Sequence, residues 1–295
     1  MFGEIASAIS IFDRIKSWLS LSNQTRDENT LTERFISLFE KHGVHKNQIP
    51  RFFDHGIELE DINNEDKLLP KLTHEILQSA SDLFAVRLEW LEGVDDQLYE
   101  THDFYKQPGE YGIFLSQLKN KGSQHLMTRL VLSAARTSGN SNDALLIIEE
   151  KIGTIGDKNI VRYHLCSGWV HSYWKCRADL AVCIAMTLKQ HVFIRGSHVK
   201  ANIEHFCSGE GFISDLYQMP SAYKRNWLLK RKFHHWHPDE WIYEPTSFVD
   251  GIDEGDFGKA NALARWLDYF DKQMMETGYN KADARDQFSA LLKTF

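Results

Sequence analysis

The chain has 295 residues, 42% of them hydrophobic and 12% aromatic, with a formal net charge of −7. That is enough apolar material for two packed domains, or for one with an appendage. The acidic balance argues against a basic nucleic-acid-binding domain as a whole, though it leaves room for a local basic patch.

Residues 2–21, FGEIASAISIFDRIKSWLSL, place Phe2, Ile5, Ile9, Phe12, Ile15 and Leu19 at helical spacing. The pattern predicts an amphipathic helix over residues 1–21. Its apolar stripe would dock on the protein's own core, or join a second copy or a partner groove. The polar SNQTRDENT that follows reads as a linker.

Residues 31–93 carry five short helical patterns. LTERFISLFEKHG faces Leu31, Phe35, Leu38 and Phe39 inward, and KNQIPRFF gives a second helix with Pro50 inside it. GIELEDI reads as a tight turn leading into a third. LTHEILQSASDLFAV has Thr73 as its N-cap and Ile76, Ala80, Leu83 and Phe84 facing inward. RLEWLEG closes the series at Gly93.

EILQSASDLFAVRLEWLEG, together with Gly56, Ile57, Ile62, Leu31, Arg34, Leu38 and Gly43, resembles the lambda-repressor-like (XRE-type) helix-turn-helix domain. The resemblance covers about a fifth of the chain. It implies a bundle of small helices whose third would be the recognition helix. That segment here is ELEDINNED, with Glu58, Glu60, Asp61, Glu65 and Asp66 and no cation before Lys67. Such a surface is repelled by phosphates, so the charge favours a scaffold used for protein contact.

KQPGEYG marks a boundary within residues 94–122, and an α+β region is expected over 123–295. LMTRLVLSAA reads as a strand. ALLIIEEKI and NIVRYHLC read as a hairpin turning at Gly156-Asp157. A helix apolar nearly all round follows at about 172–190, then the strand HVFIRG. The fold class expected is α+β: an N-terminal all-helical, helix-turn-helix-like domain, then an antiparallel sheet with packed helices.

Glu149 and Lys151 form an E-x-K that resembles the PD-(D/E)xK nucleases, but the preceding strand supplies no acid. The simpler reading is a charged hairpin end with both side chains in solvent. WKCRAD opens the apolar helix. Trp174, Lys175, Arg177 and Asp179 are candidates for an anion or small-ligand pocket there, against helix capping and ion pairing.

SAYKRNWLLKRKFHHWH is the one concentrated basic segment. Lys224, Arg225, Trp227, Lys230, Arg231 and Lys232 combine cations with an aromatic face, which suits a nucleic acid or an acidic protein partner. The alternative is a solvated helix face. His235, His237 and Asp239 then alternate as H-x-H-x-D, a metallo-β-lactamase-like spacing. Glu240 stands at the sixth position, and no histidine follows His237. DGIDEGDFG lacks the EF-hand spacing and reads as a loop before a helix. Two helices, at about 258–276 and 281–294, end the chain.

Four cysteines, none in a C-x-x-C pair, make no disulfide framework and read as free thiols. No signal peptide or apolar run of about 20 residues is visible, so a cytoplasmic protein without a membrane span is expected. No cofactor and no metal are expected. The leading expectation is a regulatory or interaction protein with a ligand-sensing or effector domain. The alternatives are a metal-dependent hydrolase or nuclease, and an assembly protein that oligomerises through residues 1–21.

Overall fold

The computed structural model describes residues 30–120, 125–133, 143–218, 236–275, 277 and 283–295. The helix expected at 1–21 lies outside them. Thr30 begins the described chain with a capping box: its hydroxyl takes the Glu33 N–H while the Glu33 carboxylate takes its own. This starts α1 (Leu31–Lys41), which buries Phe35, Leu38 and Phe39. A 3-10 turn at Lys46–Gln48 leads into α2 (Ile49–Phe52). Pro50 therefore falls in the first turn of a helix, where its missing N–H costs nothing, and not inside one as the sequence suggested.

The acidic stretch does not form one continuous helix. It makes two single turns, α3 (Leu59–Ile62) and α4 (Glu65–Leu68), because Asn64 caps the second by accepting the Asp66 N–H. Asp61 turns inward to Lys71, while Glu58, Glu60, Glu65 and Asp66 stay exposed. α5 (His74–Phe84) ends where Ala85 turns left-handed at φ +53°, and α6 (Leu88–Leu91) is followed by Gly93 at φ +80°.

β1 (Thr101–Asp103) and α7 (Pro108–Asn120) precede β2 (Leu126–Ser133), β3 (Ala144–Ile155) and β4 (Lys158–Trp169). The last two strands form the predicted hairpin, with Gly156 at φ +58° in a two-residue turn. α8 (Trp174–Lys189) crosses back to β5 (Phe193–Val199). The order is β1-β4-β3-β2-β5. The sheet is mixed, not antiparallel as expected. The α8 crossover returns the chain to its starting end, so β5 runs parallel to β2, and β1 runs parallel to β4.

Alternation along the strands divides the core in two. Leu130, Leu132, Leu146, Ile148 and Cys166 meet α7, α8 and the C-terminal helices. Val131, Leu145, Ile147, Tyr163 and Leu165 share a core with Phe35, Phe39, Phe53 and Phe84 of the N-terminal helices. That second core also takes in α9 (Glu204–Cys207) and α10 (Ile213–Gln218). The remaining described elements are α11 (Glu240–Tyr243), α12 (Pro245–Val249), α13 (Gly255–Asp271) and α14 (Ala284–Leu292). Trp266 of α13 stacks on Phe288 of α14 at 3.6 Å between ring centroids.

As its composition predicts, α8 is buried on nearly every side. The cysteines are free and buried: Cys166, Cys176 and Cys183 in the first core, Cys207 in the second. Among the described residues no helix is long and apolar enough to cross a membrane.

Candidate functional site

β1, β2, β4 and β5 run one way and β3 the other, so four strands end where β3 begins. α8 starts at the same end. In layered sheets this is where ligands bind, because the connections diverge and leave polar ends uncovered.

Asp143 immediately precedes β3. Its N–H donates to Trp169 O at 3.0 Å, and its carbonyl accepts from Ser133 N at 2.8 Å. Its carboxylate Oδ1 accepts the backbone N–H of His171 at 2.6 Å and lies 2.9 Å from that residue's Nδ1. Nδ1 is sealed from solvent and off the line of a hydrogen bond. The side chain as a whole is 20% exposed, so its open part is the rest of the imidazole.

His198, opposite Leu132 in the β2–β5 register, lies close enough to His171 to feel its charge. Burial, and secondarily His171, push its pKa down to about 4, so it is neutral at physiological pH. The first turn of α8 has no side-chain cap and no acid, and the Lys175 ammonium lies 5.0 Å from the Trp174 ring centroid. An imidazole beside a carboxylate, a neutral second imidazole and an uncapped helix start can accept a proton and hydrogen-bond a small polar ligand.

Of the four pocket candidates, the structure leaves Trp174 and Lys175 half-buried at this end and withdraws the other two. Arg177 is 1% exposed. Its guanidinium donates to the carbonyls of His171, Phe248 and Asp250 and lies 4.1 Å over Trp241. Burial pushes its pKa down to about 9. Asp179, fully buried, accepts from Arg265, from the Tyr269 hydroxyl and from the Lys106 N–H. Both tie α8 to its neighbours and have no face toward solvent.

Glu149 does not point to solvent as the hairpin reading had it. It is buried, accepting from Arg129 Nε at 3.2 Å and from the Tyr217 hydroxyl, with the Arg129 guanidinium 4.3 Å over the Tyr217 ring. Glu150, on the opposite face, is held by Arg162 at 2.6 and 2.8 Å and by His164 at 2.8 Å. Buried carboxylates need such partners. The carboxylate of the E-x-K is thereby committed to the fold.

His237 is exposed, and Asp239 accepts from the Tyr243 hydroxyl at 3.1 Å. Among the described residues no group of three or more His, Cys, Asp or Glu is placed to hold a metal. His235 lies outside the described residues, as do Lys224, Arg225, Trp227, Lys230, Arg231 and Lys232.

Asp143, His171 and His198 escaped the sequence reading. Asp143 sat at the end of a polar loop, and the two histidines lie in unrelated local contexts. The parity of β5 was the one available signal, since it puts His198 on the same face as Ile194. Compared with known proteins, the chain matches no family model, no curated protein and no solved structure.

Proposed function

We propose that this is a regulatory or interaction protein whose sheet couples a small-ligand site to a macromolecular contact. The ligand would bind at the carboxyl end of the sheet, against His171, His198 and the start of α8. The contact would be made by the helix-turn-helix-like layer of residues 31–91 and by the basic segment at 223–232. The observation that carries this reading is that one strand serves both parts. β3 starts at the Asp143–His171 contact, and its Leu145 and Ile147 lie in the core of the N-terminal helices. A change at the strand's start therefore has a packed route to the helical layer.

The partner suited to the basic segment is anionic, and a nucleic acid is the first to test. Titration of single-stranded and duplex DNA and of RNA against salt should give a falling log K. Replacing Lys230, Arg231 and Lys232 with Ala should flatten the slope by up to about 3 units on double-stranded DNA. An unchanged slope removes the segment from the proposal.

A further inference from the structure

We infer that the loops carrying Tyr105–Lys106 and His171–Lys175 form one site for a nucleoside phosphate, its base on their rings and its phosphates on their two lysines. This rests on the small-ligand reading above and names the ligand class.

The two loops leave neighbouring parallel strands at the same end, one after β1 and the other after β4. They meet through side chains. The Tyr105 hydroxyl is within reach of the Tyr173 hydroxyl, and the Tyr173 ring lies 5.9 Å from that of Trp174. All three rings pack against the first core and stay partly open to solvent. That packing sets them in place before any ligand arrives. Lys106 adopts a left-handed conformation at φ +66°, unusual for a lysine, and its N–H donates to the buried Asp179 at 2.8 Å. The turn that presents Lys106 is thereby tied to α8.

The Lys106 ammonium lies 5.0 Å from the Tyr105 ring centroid. The Lys175 ammonium lies 5.0 Å from the Trp174 centroid and 6.0 Å from that of Tyr173. Among the described residues neither is paired with a carboxylate. An ammonium carries three donors, so one resting on a ring can still bind an anion. Acids beside the loops are otherwise engaged. Asp103 accepts the Tyr105 N–H at 2.8 Å, Asp143 accepts the His171 N–H, and Asp179 holds Arg265. Cations set among flat rings match a ligand that joins an aromatic base to phosphate. A polynucleotide would need cations in a continuing track. Here Asp103, and Asp253, whose N–H donates to Ser172 O, put negative charge on either side.

The test titrates the full chain calorimetrically with ADP, adenosine and pyrophosphate, and follows the His171 imidazole by NMR, assigned with His171→Gln. ADP should bind more tightly than either fragment, weaken as salt rises, and shift His171. Lys106→Gln and Lys175→Gln should each weaken ADP about tenfold. Trp174→Leu should weaken ADP about fivefold and leave pyrophosphate unchanged. Lys158→Gln, at the far end of the β3–β4 hairpin, should change nothing. The lysines lie outside the core, so their variants carry the test even where Trp174→Leu loses stability. ADP binding that both lysine variants leave intact overturns the site. Pyrophosphate that binds as tightly as ADP and shifts His171 equally overturns the nucleotide while the small-ligand reading stands. A single-stranded oligoadenylate that displaces ADP at far lower concentration makes a polymer the occupant and overturns it too. Silence of His171 with both ADP and pyrophosphate overturns this inference and removes His171 from the small-ligand reading.

Discussion

The two faces of the sheet are covered by different kinds of helix and held by different chemistry. One carries long helices, α8 and α13, knitted by buried charge. Arg177 gathers three carbonyls, and Asp179 gathers Arg265 and Tyr269. The other is tiled by single turns between α1 and α5, and rings do the holding there. Phe39 lies 5.0 Å from Phe35, 5.3 Å from Phe53 and 4.9 Å from Phe84. A long helix presents one continuous face, so a few polar bonds fix its position. Short turns present few residues each, so each must insert a large side chain.

Removing one anchor from each face separates the two kinds of support most directly. Arg177→Met leaves buried carbonyls without donors and should cost about 3–5 kcal/mol. Phe39→Ala should cost about 3–5 kcal/mol through the cavity left among its neighbours. Urea unfolding measures both, and a near-neutral Arg177→Met would show that packing alone holds α8.

Acid probes the two faces together. Burial lowers His42 on the ring-held face and His198 at the sheet's end to about 4 each, from 6.5. The unfolded chain takes up these protons first, so the stability is complete above about pH 6.5 and lost as pH falls toward 4. Each should account for about 3 kcal/mol across that window. His42→Phe should shallow the pH dependence of the urea midpoint, and an unchanged dependence would remove His42 as a cause.

Glu149→Gln keeps an acceptor for Tyr217 but removes the charge facing Arg129, and should cost about 1–3 kcal/mol. A double-mutant cycle with Arg129→Met should return most of that as coupling. The smallest effect belongs to solvent. Lys272→Ala breaks an exposed pair with Asp268 one turn away on α13. Its cost should be about 0.3 kcal/mol, near the limit of an unfolding curve.

The long elements were legible because periodicity needs length to speak. α8, α13 and the β3–β4 hairpin stand where their patterns put them. The single turns at 59–68 were harder, since four residues carry no period and the Asn64 cap decides the break. Strand direction at the edges was not legible, because it depends on where a crossover lands. Neither was the contact of Asp143 with His171, which the loop from β4 to α8 lays beside the start of β3. Glu149 read as a surface charge for the same reason: its partners Arg129 and Tyr217 come from other elements.

The distribution of thiols turns this architecture into its own reporter. Burial raises the pKa of Cys176 to about 11 and that of Cys207 to about 12, and pushes Cys166 and Cys183 up further. None is reactive while its surroundings stay closed. An alkylating agent followed by peptide mass spectrometry would therefore time the opening of each side of the sheet without any substitution. Label at Cys207 would mark separation of the ring-held side, and label at Cys183 separation of the charge-knit side. Which appears first under mild denaturant would show whether the molecule comes apart as one unit or as two.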